Sequence, residues 1–102
     1  MKTISSLLTP VDIEKLLASR LKTLRLMAGY KRATLAKRAG VSEGSLKRFE
    51  TTGQVSLKNL LRLAYALDHL EAFSNLLIAP EATTLSALKA QSPNNIPKRG
   101  RF

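Results

Sequence analysis

The chain has no cysteine and no tryptophan, a single histidine, and only seven acidic residues against seventeen basic ones in 102 positions. Without cysteine there is neither a disulfide framework nor a thiolate zinc site. His69 cannot assemble a metal centre alone; between Asp68 and Leu70, at a predicted helix junction, it is expected to serve at the surface or as a cap. The seven acids are scattered, His69 has no nucleophile beside it in a readable motif, and no glycine-rich phosphate loop occurs. That pattern argues against an enzyme and calls for no metal or cofactor. Long apolar runs are also missing: nothing approaches the roughly 20 residues of a membrane span. The opening Met-Lys-Thr-Ile-Ser-Ser-Leu-Leu is too short and too polar for a signal peptide. A cytoplasmic protein without membrane contact is the expectation.

What the chain does have is basic charge, and that charge is concentrated. Between Lys15 and Arg62 lie twelve Lys or Arg against Glu43 and Glu50 alone, whereas the five basic residues outside this window meet five acids. The whole net charge of +10 therefore belongs to one segment. A solvated face normally mixes signs; an almost one-signed segment points to a polyanion, of which DNA is the obvious case.

Within that segment, Arg32 to Glu50 reads as a short helix, a tight turn and a second short helix. Leu35, Ala36 and Ala39 share an inward stripe while Lys37 and Arg38 point elsewhere. Gly40 supplies a left-handed stop, Val41 an apolar plug, and Ser42 an N-cap for the helix that follows. That helix turns Leu46 and Phe49 inward. Its other face offers Glu43, Gly44, Ser45, Lys47 and Arg48, the short or cationic side chains that suit base edges in a major groove. The same geometry also serves in helical corners that never meet DNA.

Around this unit, Thr9-Pro10 opens a first helix reaching about Met27, with Gly29 near its end and Ile13, Leu17, Leu21, Leu24 and Ala28 as its inward stripe. Thr51 to Val55 reads as a loop. Ser56 caps a fourth helix whose Leu57, Leu60, Leu61, Ala64 and Leu67 make a wide apolar face, and a fifth helix takes Leu70, Phe73, Leu76 and Leu77. With no β-type alternation, the fold class is all-α. Residues 1–8 read as a flexible arm, 9–78 as the domain, and 79–102 as a mostly disordered tail; the tail contains Leu85 and Leu88 and ends in Lys98, Arg99, Gly100, Arg101 and Phe102.

Arg25, Leu35-Ala36, Gly40-Val41-Ser42, Leu46, Glu50, Gly53 and the Leu-rich helix from Ser56 together resemble the Cro/C1-type (XRE, lambda-repressor-like) helix-turn-helix family over roughly residues 13–78. The single domain and basic, aromatic-ending tail further resemble HipB-type antitoxins, which repress their own operon and bind a HipA-like Ser/Thr kinase toxin, in one chain or split over two. The resemblance implies a five-helix domain that reads double-stranded operator DNA. It also implies that Arg25 and Glu50 form a buried ion pair. Ser42, Glu43, Ser45, Lys47 and Arg48 fall where the family reads bases. Arg48 and Lys47 suit guanine O6/N7; Glu43 either accepts from cytosine N4, caps the helix or holds Arg48 in place. Arg32 stands where the family commonly has a phosphate-holding glutamine, and Lys31, Lys37, Lys58 and Asn59 join it as expected phosphate contacts. Lys98, Arg99, Arg101 and Phe102 are the partner-binding tail of the antitoxin reading. Surplus apolar surface on the last two helices suggests a homodimer with recognition helices about 34 Å apart. A stand-alone XRE regulator with no toxin, in a bacterial nucleoid setting, is the alternative; a protein adaptor whose basic face binds an acidic partner is a third reading.

Overall fold

The computed structural model describes residues 8–80. They form α1 (Pro10–Met27), α2 (Arg32–Ala39), α3 (Glu43–Thr52), α4 (Leu57–Ala66) and a 3-10 helix, Leu70–Asn75, with no strand among the described residues. The expected tail contacts of Lys98, Arg99, Arg101 and Phe102, and the Leu85 and Leu88 pair, lie outside them.

Each start signal works by supplying an acceptor to a helix N–H that has no partner within the helix. Thr9 Oγ1 accepts from the Asp12 N–H at 3.2 Å while the Asp12 carboxylate accepts from the Thr9 N–H at 3.0 Å, a reciprocal capping box. Ser42 Oγ accepts from the Ser45 N–H at 3.0 Å, and Ser56 Oγ from the Asn59 N–H at 3.1 Å. Between α2 and α3, Gly40 adopts φ 72°, and the Val41 N–H reaches back to the Ala36 carbonyl at 2.9 Å. A left-handed residue followed by this 6→1 bond stops a helix and turns the chain sharply.

The core lies where α1 and α2 meet α3, with α4 closing it from the α2 side. Leu35, Leu46, Phe49 and Leu63 are fully buried, and Ala18, Leu21, Ala36, Val41 and Ala64 fill the space between them. Each large side chain removed from water contributes about 1.5–3 kcal/mol, so these four do most to fix the angle at which α3 is presented.

Four expectations are corrected. On α1 the buried line is Ala18, Leu21 and Arg25, with Leu17 and Leu24 half-buried and Ile13 and Ala28 exposed. The helix is rotated so that Arg25 rather than Leu24 meets α3, because the arginine has a buried partner there. On α4, Leu57, at the first position of the helix, is exposed, and Leu63, absent from the expected face, is fully buried. The loop after α3 begins at Gly53, since Thr51 and Thr52 still belong to the helix. The fifth helix is a single 3-10 stretch that stops before Leu76 and Leu77. None of its residues is buried, Ser74 Oγ donates to the Glu71 carbonyl at 2.7 Å, and Leu77 turns to φ 61°. With Phe73 its only half-buried side chain, the stretch gains too little burial to continue as an α-helix.

Candidate nucleic-acid interface

Glu50, on the last turns of α3, has a side chain only 1% exposed, and two guanidinium groups surround it. Arg25 donates through Nε to Oε2 at 2.7 Å and through Nη2 to Oε1 at 2.9 Å, while its Nη1 donates to the Tyr30 carbonyl at 2.9 Å. Arg32, at the first position of α2, adds Nε to Oε1 at 3.0 Å. Burial alone pushes the Glu50 carboxyl up, but the hydrogen bonds from Arg25 and Arg32 and their charges outweigh it, and the group is held below its ordinary value. One carboxylate thus ties α1 and the start of α2 to α3. Because Arg32 Nε is committed to Glu50, its terminal nitrogens are the ones left to meet a phosphate.

The outer face of α3 is open. Glu43, Gly44, Lys47 and Arg48 are exposed, as is the cap Ser42, and Ser45 is half-buried. Ser42 Oγ donates to Ser45 Oγ at 2.8 Å, which uses the Ser42 proton and leaves the Ser45 hydroxyl proton available to an outside acceptor. Glu43 does not hold Arg48. Five residues apart on a helix, the two project about 140° from one another, outside the three- and four-residue spacings that bring side chains together. Gln54 takes that place instead: Arg48 Nη2 donates to Gln54 Oε1.

Beside Arg48 is a polar cleft of ≈ 300 Å³ lined by Ser45, Arg48, Gln54, Val55, Ser56 and Asn59. It brings two of the expected base readers, Ser45 and Arg48, together with one expected phosphate contact, Asn59, at the N-terminus of α4. Lys31, Lys37, Lys47 and Lys58 do not line it; all four are exposed. The sequence reading missed Gln54. It also missed Arg62, whose Nη1 donates to the Gly40 carbonyl at 3.2 Å and ties α4 to the turn, and the stacking of Arg38 over Tyr30, 4.9 Å from the ring centroid. For Gln54 a signal was present: a polar residue directly after a helix-ending glycine is carried back alongside the last turn. Nothing in the pattern marks Arg62.

A family model described as "Helix-turn-helix domain" matches residues 16–76, more than half of the chain. The chain belongs to the helix-turn-helix domain family. The match contains the whole of α2, the turn and α3, and extends through the 3-10 helix. No curated protein and no solved structure matches the chain. The second helix of the motif is α3; in DNA-bound helix-turn-helix domains that helix is the recognition element.

Among the described residues no group of three or more His, Cys, Asp or Glu could hold a metal ion, and no helix is long and apolar enough to cross a membrane. His69 is exposed; its Nδ1 lies 2.9 Å from the Leu67 carbonyl, at the end of α4, so the ring nitrogen carries the proton that closes that cap.

Proposed function

We propose that this helix-turn-helix protein is a sequence-specific, double-stranded-DNA-binding transcriptional regulator of the Cro/C1 (XRE) type, acting as a repressor. The observation that carries this reading is the α3 surface: Lys47 and Arg48 project from a helix whose inner side is pinned by Leu46, Phe49 and the Arg25–Glu50 pair. A helix held this rigidly can present a fixed set of donors to a groove. Ser42, Glu43, Ser45, Lys47 and Arg48 act as base readers, and Lys31, Arg32, Lys37, Lys58 and Asn59 hold the phosphates.

A homodimer is part of the proposal. An apolar groove of ≈ 480 Å³ runs between α1 and the α4/3-10 corner, lined in part by Ile13, Leu17, Leu24, Leu60, Phe73 and Leu76. Leu77 and Ile78 beside it are exposed too. Apolar surface of this kind suits a second copy, and a two-fold pair would match a pseudo-palindromic operator.

The narrower reading is an antitoxin of a type II toxin-antitoxin system that autoregulates its operon and binds a HipA-like kinase. It is supported by the sequence resemblance and by the basic Lys98, Arg99 and Arg101 beside the aromatic Phe102. Expression of the full chain with its neighbouring genes, followed by mass measurement of the purified complex and selection of bound sequences from random duplex DNA, tests both levels. A dimer enriching one palindrome with no second protein supports the regulator alone. A co-purifying kinase-like chain supports the antitoxin. Absence of any enriched sequence overturns the DNA reading.

A further inference from the structure

Arginine's guanidinium has only donors, so whichever group of a side-chain amide faces it must be the carbonyl oxygen. Arg48 Nη2 therefore fixes Gln54 with Oε1 inward, and the Gln54 NH2 group is turned away with two donors to offer. The backbone that places Gln54 there is itself bonded to Arg48. The Gln54 N–H donates to Thr52 Oγ1 at 3.1 Å, and Thr52 Oγ1 donates to the Arg48 carbonyl at 2.7 Å. Gly53, at φ 85°, makes the reversal and sends its own N–H to the Phe49 carbonyl at 2.8 Å. A closed ring of bonds thus runs from the Arg48 main chain through Thr52 to Gln54 and back to the Arg48 side chain. Both side chains line the cleft that also contains Ser45 and Asn59.

We propose that Gln54 is a specificity-determining residue of the DNA-binding surface: its carbonyl positions the Arg48 guanidinium, and its amide NH2 donates to an acceptor on the adjacent base pair. A free arginine on an exposed helix face samples many rotamers, and immobilising one on binding costs conformational entropy. Holding Arg48 before DNA arrives removes part of that cost. It also restricts the guanidinium to the bases it can reach from one place, which sharpens discrimination more than it raises overall affinity. The Gln54 donors suit guanine O6 and N7 or thymine O4 and oppose the cytosine N4 amino group. This inference rests on the DNA-binding reading above.

The test uses the full chain in wild-type, Gln54→Ala, Gln54→Glu, Arg48→Ala and Gln54→Ala/Arg48→Ala forms, each selected against random duplex DNA, with circular dichroism melts alongside. Both side chains are exposed, so the variants should melt within a few degrees of wild type. Gln54→Ala is expected to retain binding to bulk DNA and lose about tenfold in discrimination, the order one bidentate base contact supplies, at the base pairs that Arg48→Ala also blurs. The double variant should be no worse than Arg48→Ala there. Gln54→Glu keeps an acceptor for Arg48 and removes the amide donors, so it should restore the Arg48-dependent preference and lose only the neighbouring one. Unchanged preference in Gln54→Ala at the base pairs that Arg48→Ala blurs, or a loss there that adds to the Arg48→Ala loss in the double variant, would overturn the proposal. A wild-type chain that enriches no sequence defeats the DNA reading itself and Gln54's role with it.

Discussion

Arg25 grips Glu50 with two parallel hydrogen bonds, Nε to Oε2 at 2.7 Å and Nη2 to Oε1 at 2.9 Å, across twenty-five residues of chain and with both side chains out of water. The pair joins α1 to α3, and its geometry leaves little freedom in the angle between them.

Removing one partner should be far worse than removing both. Glu50→Ala leaves two guanidinium groups against an apolar site, one of them buried, and Arg25→Ala leaves a buried carboxylate with Arg32 alone. Each is expected to cost about 3–5 kcal/mol in urea denaturation. Arg25→Met with Glu50→Leu should recover much of this, because an uncompensated buried charge is the larger penalty. If the double variant is as unstable as the sum of the singles, the loss comes from packing and not from stranded charge.

The same pair sets a pH response. The folded-state Glu50 value lies below its ordinary 4.5, so the unfolded chain takes up the proton first as pH falls. The stabilisation is complete above that ordinary value and is lost progressively as pH drops through 4.5 toward and past the folded value. Unfolding free energy of wild type should decline over that acid range. In Glu50→Gln the decline should be shallower, although the variant is less stable at pH 7. Parallel curves would mean other carboxylates carry the acid sensitivity.

Two left-handed glycines should differ in their tolerance of a methyl group. At Gly40, φ 72°, an added Cβ meets nothing within 4 Å, so Gly40→Ala should cost only backbone strain of about 1–2 kcal/mol. At Gly53, φ 85°, the same Cβ would lie 3.0 Å from the Glu14 carbonyl carbon and Cβ. Backbone cannot step aside as a side-chain tip does, so Gly53→Ala should destabilise by clearly more than Gly40→Ala. Equal melting temperatures for the two would show that α1 shifts freely over the end of α3.

Arg32 and Lys58 should separate on DNA. Lys58 is exposed and Lys58→Ala should lower affinity for all sequences alike, reduce the salt slope by about 0.9, and leave stability unchanged. Arg32 is bonded to Glu50 with its side chain 30% exposed. Arg32→Ala should lower affinity and also remove up to about 1 kcal/mol of stability. Binding isotherms across a salt series, beside melts of each protein, decide this; a wild-type affinity indifferent to salt would exclude a phosphate-dominated contact.

Much of the local architecture was legible because it depends on signals a few residues long. Thr9, Ser42 and Ser56 cap where a hydroxyl precedes an apolar-periodic run, and Gly40 stops α2 because only glycine adopts that conformation without cost. The inward placement of Leu35, Leu46 and Phe49 follows from the helical period. Reading failed where several neighbours compete for one residue. On α4 the stripe drawn through Leu57 leaves out Leu63, about 120° away around the helix, and only the packing of the helices buries Leu63 and exposes Leu57. The Leu70–Leu77 run has helical spacing, yet with only Phe73 half-buried it remains a short 3-10 turn.

The sequence by itself determined the helical character of the described residues, the location of the helix-turn-helix and the concentration of net positive charge between Lys15 and Arg62, since propensity, capping and composition act locally and need no fold to be read. Tertiary structure alone decided that Glu50 is shared between Arg25 and Arg32, that Gln54 rather than Glu43 holds Arg48, and that Arg62 fastens the turn. These contacts depend on the relative rotation of packed helices and on one chain reversal at Gly53. Bonds to a charged group form wherever that geometry brings a donor within about 3 Å, a condition set by the whole core at once.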